Sequence, residues 1–263
     1  MYSYVIPYRA DSLREREENL RCVLRRLSRL PELEVVLVEQ DAVSRVDSRS
    51  LPSNCVHFFI KNAGPFNKAW GVNVGYKRSS GDVIAFGDAD VIVNTQVLTP
   101  CFGVCSRGIA AVRPFDRWVD LTRGESRKMI DGDEEPSVVR SPQSVDREGI
   151  GEFISFCSGL FMIRRDVYSQ LGGFDESFVG WGGEDDAMTL KLARSGLSTQ
   201  ILEGETAFHL WHERSHHSRY GHPHYAQNVE RLKHYTACSD EELQLMCRQG
   251  RLSMGDVSKY AAV

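Results

Sequence analysis

No apolar run in these 263 residues approaches the ~20 needed to cross a bilayer as a helix. The opening Met1-Tyr2-Ser3-Tyr4-Val5-Ile6-Pro7 is too short, and has the wrong flanks, for a signal peptide. Net charge is also nearly missing: 32 basic against 36 acidic side chains leave -4, which argues against a dedicated nucleic-acid or anionic-membrane binder while allowing a local basic patch. There is no CxxC pair. Seven scattered cysteines, an odd number, suit reduced thiols, so the expected location is cytoplasmic. Internal repeats and low-complexity segments are absent too. What remains is ordinary globular composition, 41% hydrophobic and 26% charged, in a chain long enough to bury a sizeable core.

The first half alternates strand and helix signals. Ser3 to Ile6 is a short β-rich run stopped by Pro7, and Ser12 with Glu15 forms a capping box for a helix ended by Pro31. Glu34 to Glu39 is a near-continuous apolar strand of the kind buried on both faces of a parallel sheet, and Val56 to Ile60 repeats it. A short helix over Phe66 to Tyr76 precedes a buried strand at Asp82 to Phe86. Such alternation implies right-handed βαβ units in a doubly wound sheet. Residues 116 to 150 are highly charged with little periodicity, which predicts a mobile active-site loop or an insertion without order. Strand-like residues resume over Phe153 to Arg164, and Gly182-Gly183 opens a helix from Glu184 to Ser195. Strands fit Thr199 to Glu203 and Thr206 to Trp211. Helices fit Tyr225 to Cys238 and Asp240 to Arg248, with a frayed tail from Gly250.

Three motifs could carry chemistry. Asp88-Ala89-Asp90 ends a buried strand, where alternation puts both carboxylates on one side of the sheet edge; oxygen ligands there favour Mg²⁺ or Mn²⁺. The plain alternative is a polar turn. Trp181-Gly182-Gly183-Glu184-Asp185-Asp186 places three acids at a helix start, which the macrodipole alone would favour. The two glycines permit close approach, however, the Trp offers a flat face to a sugar, and a carboxylate there could take a proton from a hydroxyl. His209-Leu210-Trp211-His212 could complete a metal site begun by the Asp pair, while His212, His216, His217, His222 and His224 could form a zinc site of their own or simply a polar loop. Cys101 and Cys105 should face a helix interior. Arg9, Arg14 and Arg16 suit either phosphate or an exposed helix face.

In this order the motifs resemble the GT-A glycosyltransferases, family 2-like, in the branch with β-1,4-galactosyltransferases, polypeptide N-acetylgalactosaminyltransferases and bacterial chondroitin-polymerase-like enzymes. Four stretches carry the resemblance: Val5 to Arg9, Phe66 to Gly75, Asp82 to Asp90, and Gly172-Gly173-Phe174-Asp175-Glu176 through Asp186. It implies an α/β fold, a single GT-A (Rossmann-like) domain with a mostly parallel central sheet and a C-terminal helical extension. Residues 1–215 would be that domain, 1–115 its nucleotide-binding half and 150–215 its acceptor and catalytic half; 216–263 would hold the His-rich loop and terminal helices. The segment 116–150 would be the closing loop.

The same resemblance implies roles. Asp90 would bind Mn²⁺ or Mg²⁺, with Asp88 on the metal-bound water, the metal or the ribose. His212, or else His209, would be the third metal ligand. Glu39 or Asp41 would hold the nucleoside beside Pro7, Tyr8 and Arg9, with Lys68 near the diphosphate and Gly183 beside the nucleotide-sugar. Trp181 would pack on donor and acceptor sugars, Glu184 hold sugar hydroxyls, Asp186 contact the acceptor, and Asp185 act as catalytic base. The implied reaction is inverting transfer from a nucleotide-sugar, usually UDP-linked, to an acceptor hydroxyl on a glycan, with a hydroxylated DNA base as another acceptor. A sugar nucleotidyltransferase is the alternative enzyme, yet the turn Pro7-Tyr8-Arg9-Ala10-Asp11-Ser12 lacks the glycines it needs. A non-catalytic carbohydrate-binding module is the alternative outside enzymes.

Overall fold

The computed structural model describes residues 1–11, 14–132, 145–146, 154–213 and 221–260. The proposed Ser12 cap, His216, His217 and the expected strand start at Phe153 lie outside the described residues. The first unit is β1 (Tyr2–Tyr8), α1 (Glu15–Leu27), β2 (Leu33–Asp41), β3 (Cys55–Lys61), α2 (Lys68–Arg78) and β4 (Val83–Gly87). Next come β5 (Val91–Ile92), α3 (Leu98–Ser106), β6 (Ala111–Arg113), β7 (Arg117–Asp120), α4 (Arg123–Asp131), β8 (Val145–Asp146), β9 (Leu160–Arg164) and α5 (Arg165–Gln170). The chain finishes with α6 (Glu184–Arg194), β10 (Thr199–Ile201), β11 (Thr206–His209), α7 (Tyr225–Ala237) and α8 (Asp240–Ser253).

Seven strands form the main sheet in the order β10-β6-β9-β4-β1-β2-β3, parallel except for β9, which runs against both β4 and β6. Strand alternation divides its apolar residues between two cores. Tyr4, Ile6, Val35, Leu37, Val83 and Ala85 face one layer with α1 and α3, whereas Val5, Val36, Val38, Ile84 and Phe86 face the other with α2, α5 and α6. Each fully buried Val, Leu or Ile contributes about 1.5–3 kcal/mol, so a register slip that exchanged the two sets would be costly. The strand order reverses direction at β1, flanked by β2 on one side and β4 on the other. In doubly wound sheets the crevice at such a point, outside the strand carboxyl ends, is where ligands bind. Among the described residues no helix is long and apolar enough to cross a membrane.

Two expectations are corrected. The segment from 116 is not patternless: it contains β7 and α4, the latter opened by a full capping box between Thr122 and Glu125. A second sheet, β5-β11-β7-β8, therefore stands beside the first. Nor is the tail frayed. α8 continues to Ser253, Met254 is buried, Gly255 N donates to Glu176 Oε1 at 2.5 Å, and Trp70 Nε1 donates to Asp256 O at 2.7 Å.

Candidate active site and metal centre

The crevice beside β1 is built by three chain segments. Asn67 caps α2 by accepting from Trp70 N (2.9 Å), while its own amide donates to Glu176 O (2.8 Å) and Tyr260 Oη (3.0 Å). Lys68, the first residue of α2, is thereby fixed with its ammonium against the helix dipole, a local cost that its partners must offset. Those partners are Asp88 Oδ1 and Asp185 Oδ2, each 3.0 Å from Nζ. Asp88 follows β4 with its N–H on Gly159 O (2.8 Å), and Pro7 lines the same cleft. Asp185 sits in the first turn of α6, between Glu184 and Asp186. The turn before α6 needs glycine: Gly183 has φ +91°, and a Cβ there would lie 2.7 Å from the Phe178 ring.

Burial pushes the Asp185 carboxyl well above the ordinary carboxylate range, against the pull of Lys68 and with the help of Glu184 and Asp88. Glu184 is raised by burial as well. Lys68 is held firmly charged: burial opposes its charge, but Asp185 and Asp88 outweigh that. A carboxylate raised toward neutrality in a crevice, with a cation holding it, is suited to accept a proton from a hydroxyl.

The expectation that Asp88 and Asp90 share one side is overturned. β4 ends at Gly87, both residues lie in a turn rather than a strand, and alternation does not apply. Asp88 turns to Lys68, whereas Asp90 turns to the second sheet, 3.4 Å from His212 Nε2 and 3.7 Å from His209 Nε2. Ligand atoms of Asp90, His209 and His212 all lie within 4.8 Å of one another; Asp88 is not among them. The second sheet makes this possible, because β11 pairs with β5 through His209 opposite Val91, and Leu210 N donates to Asp90 O at 2.8 Å. The same strand pairs with β7, setting Asp120 opposite His209. Asp120 Oδ1 accepts from His209 Nδ1 (2.8 Å) and Trp118 Nε1 (3.1 Å). A carboxylate on Nδ1 leaves Nε2 for a metal. Burial depresses the His209 imidazole, but Asp90 and Asp120 prevail and raise it to about 9. His212 is lowered, chiefly by burial, and Asp90 lies well below the carboxylate range because His209 and His212 outweigh its burial. Two imidazoles and a carboxylate fit a divalent transition ion such as Mn²⁺ better than Mg²⁺, which prefers oxygen throughout.

Residues 151–216 match the family described as the N-terminal domain of galactosyltransferase. Human chondroitin sulfate N-acetylgalactosaminyltransferase 1 is 26% identical over 213 residues, 78% of this chain and 39% of that protein. Human polypeptide N-acetylgalactosaminyltransferase 3 is 30% identical over 64 residues, 24% of this chain and 10% of its own length. Among solved structures, the catalytic domain of Drosophila β-1,4-galactosyltransferase 7 with xylobiose superposes with a TM-score of 0.51 at 18% identity, over 90% of this chain and 81% of that one. S. aureus TarS 1-349 with UDP-GlcNAc gives 0.61 at 16% identity, over 95% and 70%. The chain has the GT-A type of α/β fold, with a large, mostly parallel central sheet. It spans about two fifths of the length of the chondroitin sulfate N-acetylgalactosaminyltransferases it matches.

Within this fold the remaining expected residues are placed as follows. Arg9 is spent on backbone, donating to the carbonyls of Gln40, Gly64 and Asn62 at 2.6, 2.7 and 2.9 Å. Glu39 is wholly buried and saturated: it accepts from Ser44 Oγ and the Arg45 and Val46 amides, and contacts His57 Nε2 at 2.9 Å. Both therefore hold the loop after β2; Glu39 has its acceptor sites filled there, while Arg9 commits three of its five N–H groups. Asp41 accepts from Ala42 N (2.7 Å) and lies 3.4 Å from Arg45, and Tyr8 is buried. Trp181 is 40% exposed, stacked on Tyr225 at 5.7 Å, with its carbonyl accepting from Asn228 Nδ2. Neither Asp120 nor Trp118 was singled out from the sequence. The readable signal was the Thr122-x-x-Glu125 box, which marks the end of the strand carrying both. The separate histidine zinc set is not assembled among the described residues, where His209 and His212 converge on Asp90 instead.

Proposed function

We propose that this chain moves a sugar from a nucleotide-sugar, UDP-linked, to a glycan hydroxyl with inversion at the anomeric carbon. The observation that carries the reading is the turn Asp88-Ala89-Asp90, which joins a buried base centre, Lys68 with Asp185, to a three-ligand metal centre. Asp90, His209 and His212 would hold a divalent ion, which when bound neutralises the charge on a nucleoside diphosphate. Asp185 accepts the proton of the incoming hydroxyl at a carboxylate oxygen, its raised basicity matching the task. Lys68 fixes that carboxylate and Asp88 in place, and Glu184 beside it orients sugar hydroxyls. The half-exposed Trp181 offers its face to a sugar ring, and Asp186 lies one residue along the helix for the acceptor. UDP is supported by the UDP-GlcNAc bound to TarS, and a glycan acceptor by the xylobiose bound to the Drosophila enzyme. The curated relatives' names make N-acetylgalactosaminyl the first group to test.

The test is a thermal-shift titration with nucleoside diphosphates, with and without Mn²⁺, followed by turnover with the matching sugar nucleotides. A ligand of the native state raises Tm through RT ln(1 + [L]/Kd). UDP is expected to stabilise only when Mn²⁺ is present. Asp185→Asn is expected to keep that shift while losing turnover by about 10²–10⁴-fold. A folded protein with no shift from any nucleotide, or an Asp185→Asn variant with undiminished turnover, overturns the reading.

A further inference from the structure

On the α5 and α6 side of the domain, α8 packs so closely that a Cβ on Gly250 would lie 2.6 Å from Gly172 O. Beside this contact is a cleft of about 400 Å³ between the ends of α5 and α6 and one side of α8. Its charged lining is one-sided. Lys191, Arg194, Arg248 and Arg251 stand against a single carboxylate, Asp240, and Asp240 is already paired with Arg194 at 2.5 Å. Arg194 is consumed further by Tyr235 O and Cys238 O. Arg248 and Arg251 are different: three residues apart on one helix face, both exposed, they make no hydrogen bond or ion pair among the described residues.

Lys191 forms the floor and is 3% exposed. An ammonium has three donors; among the described residues one is used, on Gly173 O at 2.8 Å, and the group also lies 5.9 Å from the centre of the Tyr235 ring. Asp175, the carboxylate whose charge acts on Lys191, is engaged by Ser177 N, Tyr235 Oη and Arg231. Burial lowers the Lys191 pKa, as expected for a cation removed from water with few acceptors. A buried cation short of acceptors, opening on a cleft rimmed by two uncommitted guanidiniums, is a place where an anion would remove a standing electrostatic cost.

We propose that this cleft binds a phosphate-type oxyanion, with Arg248 and Arg251 as paired donors and Lys191 as the charge beneath them. Guanidinium forks match a tetrahedral oxyanion bidentately, and the doubly charged phosphoryl group matches the excess of positive charge better than a single carboxylate does. The site lies at the opposite end of α6 from Asp185, so the proposal stands independently of the transfer chemistry. Bound there, the anion would clamp α8 to the segment from Gly172 onward.

The test is calorimetric titration of inorganic phosphate, and separately of hexose 6-phosphate, into the full chain with EDTA present so that the metal centre contributes nothing. Saturable binding is expected for the wild type and for Asp90→Asn. In the double variant Arg248→Gln/Arg251→Gln, affinity is expected to fall about tenfold or more with Tm in plain buffer unchanged. Lys191→Met is a second variant, and phosphate is expected to raise its Tm less than that of the wild type. Tighter binding of the ester identifies a phosphoryl group carried on a larger molecule; equal binding identifies the free anion. Absence of saturable binding into the millimolar range, or an affinity in the double variant within twofold of wild type, overturns the proposal.

Discussion

The most informative perturbation is at Asp120, which would touch neither substrate nor metal and was reached only through the structure. Its Oδ1 accepts from two buried donors, His209 Nδ1 at 2.8 Å and Trp118 Nε1 at 3.1 Å. The first bond selects the tautomer that turns Nε2 toward Asp90, and the carboxylate charge is one of the two causes holding the imidazole at about 9. Asp120→Asn keeps an oxygen acceptor and the side-chain volume but removes the charge. Outer-shell carboxylates of this kind are worth about 10–100-fold in metal affinity, or about 1.4–2.7 kcal/mol. Loss of affinity alone would not separate positioning from misfolding, so protons supply the second readout. Metal-free His209 is almost fully protonated at pH 7 and must be neutral to ligate, so Mn²⁺ binding should release close to one proton. With Asn at 120 the imidazole is less basic, and the number released should fall. Calorimetric titration of Mn²⁺ in two buffers of different ionisation enthalpy measures both quantities. Unchanged affinity together with unchanged proton release in a folded Asp120→Asn protein would refute the assigned role.

Three further outcomes are expected. Because the His209 pKa in the folded protein is raised from 6.5 to about 9, its share of stability is complete below pH 6.5 and is lost as pH rises through 9; urea denaturation of the metal-free chain should show at most about 3 kcal/mol less stability at pH 9.5 than at pH 6, and a flat profile would contradict the Asp90–His209–Asp120 arrangement. Gly159 has φ +71°, and a Cβ there would lie 2.2 Å from the Trp118 ring, so Gly159→Ala should cost about 2–5 kcal/mol by denaturant and weaken Mn²⁺ binding through Trp118. Asn73 donates to Phe174 O and Glu176 Oε1 and accepts from Tyr168 Oη and Phe174 N; Asn73→Ala should therefore lower stability by about 2–4 kcal/mol, and an unchanged Tm would show that the network is dispensable.

How much of this could be read beforehand depended on whether the cause was local. β2 declared itself through an unbroken apolar run, because burial on both faces of a parallel sheet leaves no polar alternation to obscure it. The start of α6 was likewise readable, with two glycines followed by three acids marking both the αL turn and the charge-complemented first turn. α4 was missed because only Ser126 on it is buried, so there was no apolar stripe to count, although its capping box was in plain sight. The second sheet was missed for a different reason. Its strands are two to four residues long, less than the window in which a period of two can be recognised, and β5 meets β11 across more than a hundred residues of chain.

The site followed the same division. That Asp88, Asp90, Asp185, His209 and His212 were candidates was legible from residue type and order, and so was the joining of Asp90 with a histidine; the place of Asp88 was not. Alternation along β4 put Asp88 and Asp90 together, yet the strand stops at Gly87 and the turn separates them. The separation has a physical reason. Two adjacent carboxylates in a half-buried crevice repel each other, and the turn gives each its own source of positive charge, Lys68 for one and the two histidines for the other. Arg9 and Glu39 are both charged groups at strand ends, where ligands bind; Glu39 is enclosed by Ser44, the Arg45 and Val46 amides and His57, whereas Arg9 commits three of its five N–H groups to backbone carbonyls. Residue type and strand position nominate a site residue; only the count of its committed hydrogen bonds decides whether it can still bind anything.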